Sequence, residues 1–233
     1  MSVLVARLLT LRQELAIELR RFLLLWRYQH HTPPFTLWWR LVLKRVVDFA
    51  GTAVGLILVA PIMAIIALAI KLDSWGPVFY GQERVGRFGE IFKIYKFRTM
   101  RIDAEVNGPV WAAREHDQRI TRLGSFLRRS HLDELPQLFN VVKGDMSLVG
   151  PRPERPHFVE QLDREVPRYD ERLLIKPGMT GLAQVHYRYD QSIADVKRKL
   201  RFDLLYVKRM CLMLDARILA WTVLVVFTGR GIK

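Results

Sequence analysis

Phe49–Ile70 reads FAGTAVGLILVAPIMAIIALAI, and whether these residues meet lipid or protein decides the fold. The stretch carries no charge, and as a helix rising about 1.5 Å per residue it could just cross a bilayer core of about 30 Å. Two features argue against a simple crossing. Pro61 sits mid-segment, where it removes a backbone donor and bends a helix. Both flanks are also basic. Residues 1–45 hold eight Lys or Arg against two Glu, and residues 71–233 hold 29 against 20 acids. A crossing helix cannot keep both flanks on the positive, cytoplasmic side, whereas a segment that enters, turns at Ala60-Pro61 and leaves can. The charge balance therefore favours a re-entrant helix–break–helix, with a crossing helix and a helix buried in a soluble core as the alternatives. A re-entrant bend must satisfy its freed backbone groups internally.

Composition narrows the partners. The 233 residues suffice for one medium domain with a real core. A net charge of +14 attracts nucleic acid, an anionic lipid surface or phosphorylated substrates. Half the residues are apolar, which excludes a disordered basic tail. The single Cys211 excludes an intrachain disulfide. Arg7, Arg12, Arg20, Arg21 and Arg27 interrupt the first thirty residues, so no signal peptide is expected.

Upstream, residues 2–30 read as a basic amphipathic helix, with Leu4, Leu8, Leu11, Leu15, Leu19, Phe22 and Trp26 recurring at three- and four-residue steps. Such a helix suits a membrane interface or packs on this domain or on a second copy. Downstream, Asp73–Pro77 is a turn, with Trp75 suited to the headgroup level. Val78–Tyr80 and Glu90–Ile94 read as short strands around Gly86 and Gly89, and Asp103–Glu115 as a loop or broken helix. Ile120–Arg129 reads as a basic helix, Phe158–Arg172 as a helix interrupted by Pro167, and Lys176–Gly181 as a loop. Ser192–Met210 is amphipathic, with Ile193, Val196, Leu200, Leu204 and Val207 on one face, and Leu212–Phe227 reads as an interfacial or packed helix.

The chemistry gathers in His131–Pro153, HLDELPQLFNVVKGDMSLVGPRP. Adjacent acids Asp133 and Glu134 stand at an expected helix start. Leu135, Leu138, Phe139 and Val142 would form its apolar face, and Gly144 its stop. A helix start keeps a carboxylate ionised and offers free N–H groups to a phosphate. An ionised carboxylate beside a divalent cation can attack a phosphoryl group. Arg128, Arg129, Arg152 and Arg155 could offset the charge of a diphosphate. Each feature alone has a plainer reading: a helix-start Asp is ordinarily an N-cap, and an Arg pair a solvated helix end.

In combination these residues strongly resemble the bacterial monotopic phosphoglycosyl transferases, the polyprenyl-phosphate sugar phosphotransferases. The matching text is Lys44-Arg45 with Asp48, Ala60-Pro61, Gly76–Gly86, Lys96-Phe97-Arg98-Thr99-Met100, Ile120–Gly124 and Leu127–Pro153. Gly150–Pro156 and Thr180–Val185 look like exopolysaccharide-initiating members. The resemblance implies a mainly α fold with a small irregular β portion. It implies an N-terminal amphipathic helix and linker over 1–39 and a re-entrant membrane helix over 40–73. Residues 74–233 would be a compact catalytic domain with interfacial helices on the cytoplasmic face of the bacterial inner membrane. It implies transfer of a sugar-1-phosphate from a UDP-sugar to undecaprenyl phosphate, with release of UMP and a requirement for Mg²⁺. Asp133 would be the covalent nucleophile and contribute to the metal site, with Glu134 as its partner. Arg128 and Arg152 match phosphate-binding positions, and Lys96 and Arg98 lie near the site. Asp203, in Phe202–Tyr206 where many relatives read Tyr-Asp-Leu-Tyr-Tyr, is a further candidate. The family's Ser-Pro break is Ala60-Pro61 here, so no hydroxyl is available to bond a freed carbonyl in the kink. A basic membrane scaffold would leave the acid pair unexplained. Nucleic-acid binding is disfavoured because the basic residues are spread along the chain. The apolar stripe of the first helix is compatible with a homodimer.

Overall fold

A computed structural model of the chain describes residues 16–29, 32–102, 104, 117–187 and 192–228. Helix α1 covers residues 16–28 of the helix expected over 2–30, and residues 2–15 of that stretch lie outside the described residues, as does most of the loop expected over Asp103–Glu115. Helix α2, Pro34–Asp73, is 40 residues long. A hairpin follows, β1 (Phe79–Val85) and β2 (Ile91–Phe97), antiparallel with Phe79 opposite Phe97 and Val85 opposite Ile91. Then come α3 (Arg122–Arg129), α4 (Gln137–Lys143), β3 (Ser147–Val149), α5 (Pro156–Glu165), β4 (Gly178–Thr180), α6 (Leu182–His186), α7 (Ile193–Arg209) and α8 (Leu212–Thr228). The architecture is mostly helical with a small strand portion, as expected.

Helix α2 presents two faces of different character. Val54, Ile57, Leu58, Ile62, Ile65, Leu68 and Leu72 are between 46% and 80% exposed, an apolar surface too continuous to favour water. The opposite face meets the domain along most of its length. Asp48 accepts bonds from Ser147 Oγ (2.7 Å) and the Leu148 amide (3.3 Å), and Lys44 pairs with Asp215 at 2.8 Å. Arg45 donates to the carbonyls of Val141 (2.6 Å) and Val142 (2.8 Å), capping the end of α4. Met63, Ile66 and Ile70 pack with Phe97 and Leu127. At the C-terminal end, Arg98 donates to the Ser74 carbonyl (2.6 Å) and hydroxyl (2.8 Å). The expected break at Ala60-Pro61 does not interrupt the helix, which continues through Pro61. A proline removes a single N–H, and the hydrogen bonds on either side hold the helix together.

The main core gathers Leu25 of α1, Leu37 of α2, Val149, Ile175, Val185, Tyr206, Val207 and Ile218. Leu25 is fully buried and Gln29 Nε2 donates to the Val207 carbonyl at 2.7 Å, so one face of α1 is part of this domain. Its Ile17, Leu19, Leu23 and Leu24 remain exposed. The loop expected at Lys176–Gly181 contains β4, which pairs parallel with β3. Glycine makes that pairing possible: a Cβ on Gly150 would lie 2.5 Å from the Lys176 carbonyl oxygen. Helix α7 starts at the Ser192 cap and buries Val196, Leu200, Asp203, Tyr206 and Val207.

Candidate active site

Asp133 does not start an α-helix. His131 takes a left-handed conformation (φ 58°), Leu132–Glu134 form one 3₁₀ turn, and α4 begins three residues later, capped at Pro136. The reason is local. A left-handed residue turns the chain sharply, and Pro136 then serves at the helix start, where a missing N–H matters least. The expected apolar face shifts with it. Leu138 and Val141 are buried together with Gln137 and Asn140, whereas Phe139 is 46% exposed. Gly144, at φ 100°, ends α4 as expected.

The turn separates the two acids electrostatically. Glu134 Oε1 lies 2.7 Å from Lys96 Nζ and 2.6 Å from Arg152 Nη2, and its Oε2 lies 3.3 Å from Arg152 Nη1. These two cations hold the Glu134 carboxyl well below the usual range, although burial alone would raise it. Asp133 is buried, 8% exposed, and its carboxylate makes no hydrogen bond or ion pair among the described residues. Burial pushes its pKa up, and the neighbouring Glu134 adds to this, against the pull of Lys96, Arg128 and Arg152. One acid is thus saturated with donors, and the other keeps its oxygens uncommitted.

The supporting cations are fixed from several sides. Asn140, buried in α4, accepts from the Tyr95 amide (3.0 Å) and donates to the Lys93 carbonyl (2.7 Å), locking α4 to β2 one step from Lys96. Burial lowers the Lys96 pKa, against Glu134, which raises it. Arg128 Nε donates to Thr99 Oγ1 at 2.8 Å. Gly124 lets the Thr99 backbone approach, because a Cβ there would collide with the Thr99 carbonyl oxygen. The backbone around Arg152 is pinned in turn. The Gly178 amide donates to the Pro151 carbonyl (2.9 Å), Arg172 Nη2 to the Arg152 carbonyl (2.8 Å) and Arg84 Nη1 to the Pro153 carbonyl (3.1 Å). The Arg152 side chain still keeps 41% of its surface exposed, free to meet an incoming anion.

The structure brings Asp133, Glu134, Lys96, Arg128 and Arg152 together. Arg98 is engaged at the end of α2 with Ser74, and Arg129 is exposed. Arg155 stands at the start of α5, where its charge falls on Arg84. Asp203 is bound to Arg172 (2.9 Å), and Arg172 in turn meets Tyr169 OH (2.7 Å) and the Arg152 carbonyl. Among the described residues the hydrogen-bonded link from Asp203 to the site runs through Arg172, and both line one cavity with Arg152. Sequence reasoning missed Arg172, Thr99 and Asn140 as supports. Asn140 carried a faint signal, a polar residue inside an apolar helix.

Among the described residues no three His, Cys, Asp or Glu converge on a metal site. A protein-only metal cage does not fit. Magnesium commonly uses one or two carboxylates completed by substrate phosphates and water. The uncommitted Asp133 carboxylate fits that donor set, and Glu134 does not, because both its oxygens are occupied.

A family model described as bacterial sugar transferase matches residues 39–229. The chain is 43% identical over 191 residues to a UDP-N-acetylgalactosamine-undecaprenyl-phosphate N-acetylgalactosaminephosphotransferase of Aeromonas hydrophila, covering 82% of this chain and 45% of that protein. It is 39% identical over 192 residues to a UDP-glucose:undecaprenyl-phosphate glucose-1-phosphate transferase of Escherichia coli K12, covering 82% and 41%. An exopolysaccharide production protein PSS of Rhizobium leguminosarum bv. phaseoli is 42% identical over 201 residues, covering 82% and 98%. The chain thus spans less than half the length of the first two relatives and matches nearly all of the third.

Proposed function

The chain belongs to the bacterial sugar transferases, and from that membership we propose that it transfers a sugar-1-phosphate from a UDP-sugar to undecaprenyl phosphate at a membrane surface. The products are the polyprenyl diphosphosugar, which starts an exopolysaccharide or related glycoconjugate, and UMP. The observation that carries this reading is the contrast between two adjacent acids: Glu134 locked between Lys96 and Arg152, and Asp133 buried but uncommitted.

In the proposed first step, an Asp133 carboxylate oxygen bonds to the sugar-bearing phosphorus of the donor. The bond from that phosphorus to the bridging oxygen breaks, and UMP leaves with that oxygen. In the second step an oxygen of the lipid phosphate bonds to the same phosphorus, the Asp133 oxygen–phosphorus bond breaks, and the carboxylate is restored. Arg152 and Arg128 offset the donor's charge, Arg152 through its exposed side. Glu134 stays ionised and orients Lys96 and Arg152, because its oxygens are occupied and its pKa is far below neutral. Mg²⁺ held by Asp133 with the donor's phosphates would neutralise charge on the phosphoryl oxygens.

We propose that α2, unbroken but bent at Pro61, dips into the cytoplasmic leaflet and returns. Its support is that Lys44 and Asp48 near one end, and Ile70 and Ser74 at the other, all attach to the same domain. A crossing helix would carry one of these ends away from it. The decisive assay is UMP release from a panel of UDP-sugars by protein in a bilayer mimic, with and without polyprenyl phosphate and Mg²⁺. Sustained release that needs all three is expected, with no more than one UMP per enzyme when polyprenyl phosphate is withheld, and Asp133→Asn should abolish both. Full activity in that variant would remove Asp133 as nucleophile.

A further inference from the structure

Between α2 and the turn joining α7 to α8 lies a groove of about 220 Å³, lined by Arg40, Leu43, Lys44, Met210, Cys211 and Leu212. A water's share of liquid volume is about 30 Å³, so the groove has room for a phosphate-sized group. Its charges are unequal. Lys44 is paired with Asp215 at 2.8 Å. Arg40, on the exposed rim, has no carboxylate partner among the described residues, and donates a long 3.5 Å hydrogen bond to Thr32 Oγ1. The wall below is apolar: Met210 is buried, and Leu43, 49% exposed, leads onto exposed Val46 and Val47 of α2. One turn before Arg40, Phe35, Trp38 and Trp39 are exposed and packed edge to face, with ring centroids 4.8 and 6.1 Å apart. Exposed tryptophans of this kind mark the headgroup level of a bilayer.

We propose that this groove seats the headgroup of an anionic phospholipid, with its phosphate on Arg40 beside Lys44 and the start of an acyl chain along Leu43 and Leu212. A cation without an acid partner, an apolar wall continuous with a lipid-facing helix, and aromatic residues at the same level are complementary to that one ligand class. The site is separate from Asp133 and Glu134 and rests on the membrane reading of α2, not on the transfer chemistry.

Cys211, the only cysteine in the chain, is a built-in reporter in this groove. Wild-type protein is reconstituted into phosphatidylcholine vesicles with and without phosphatidylglycerol, and Cys211 labelling by an uncharged maleimide is timed. Labelling about fivefold slower with phosphatidylglycerol is expected, the factor that one basic side chain near an anionic surface supplies. Arg40→Gln should label at the same rate in both, although the surface charge of the vesicles is unchanged. Inorganic phosphate added to phosphatidylcholine vesicles should not protect. Equal labelling of the wild type in both lipids, or equal protection in Arg40→Gln, overturns the site. Protection by inorganic phosphate alone overturns the lipid and leaves a simple anion site. Failure to float with either vesicle would overturn the membrane reading itself, which separates that outcome from the others.

Discussion

Asp203 gives the sharpest test of how the site is built. Its carboxylate and the Arg172 guanidinium face each other at 2.9 Å with 6% and 7% of their side chains exposed. Replacing Asp203 with Asn keeps the shape and removes the charge, leaving Arg172 buried without its counter-ion. Breaking a buried pair from one side costs about 3–5 kcal/mol. At roughly 2–4 °C per kcal/mol for a domain of this size, the melting temperature should fall by roughly 6–20 °C. Arg152 keeps its two contacts with Glu134 in the variant, and its carbonyl keeps Arg172 as a donor. Activity per folded molecule, measured as UMP release at a temperature where both proteins are folded, should therefore change little, with KM for the donor within a few-fold. Thermal unfolding in a bilayer mimic supplies the stability arm. An unchanged melting temperature with a KM raised tenfold or more would refute this account and place Asp203 against the donor.

Four further outcomes are expected. The pKa of Asp133 is raised, so kcat/KM for the donor should rise with pH along an acid limb lying above the ordinary carboxylate value; a flat profile down to pH 4 would contradict this. The same shift makes ionisation of Asp133 a cost to the fold that grows as pH rises through its ordinary and then its folded pKa, whereas the depressed pKa of Glu134 adds stability above its ordinary value that is lost as pH falls. At neutral pH Asp133→Asn should thus melt at or above the wild-type temperature and Glu134→Gln below it, and the opposite order in a melting scan would reject the division of roles. Gly124→Ala would force a Cβ against the Thr99 carbonyl, destabilise by about 1–3 kcal/mol and weaken donor binding through Arg128; a wild-type melting curve and KM would count against the Thr99 support. For α2, cysteines placed singly at Arg40 and Asp73 in a Cys211→Ser background should both react with an impermeant thiol reagent from the cytoplasmic side of inverted vesicles, and labelling from opposite sides would establish a crossing helix.

Much of the fold was legible because it rests on local chemistry. An uncharged run announces α2, Gly144 stops α4, and the apolar stripe from Val196 to Val207 marks the buried face of α7. What was hidden depends on partners distant in the chain. Parallel pairing of β3 with β4 joins segments about thirty residues apart, with no turn signal to announce it. Lys44, Arg45 and Asp48 read as a charged flank of the membrane segment, yet they fasten α2 to α8, α4 and β3. Arg172 sits among charged residues and shows its role only through Asp203, Tyr169 and the Arg152 carbonyl.

The same distinction explains why two neighbouring acids have different fates. Asp133 and Glu134 are equivalent in a helix-start reading, where both would gain from the dipole and from free N–H groups. The left-handed His131 and the 3₁₀ turn break that equivalence by sending Glu134 to Lys96 and Arg152. Those two cations come from a β-strand and from a proline-flanked loop, each braced by buried polar contacts. Once they are neutralised in part by Glu134, they lie close enough to draw Asp133 towards ionisation without binding it. A carboxylate left buried and unpaired is costly to the fold. It is also the state from which attack on phosphorus loses the fewest hydrogen bonds, so the cost and the proposed chemistry fall on the same residue.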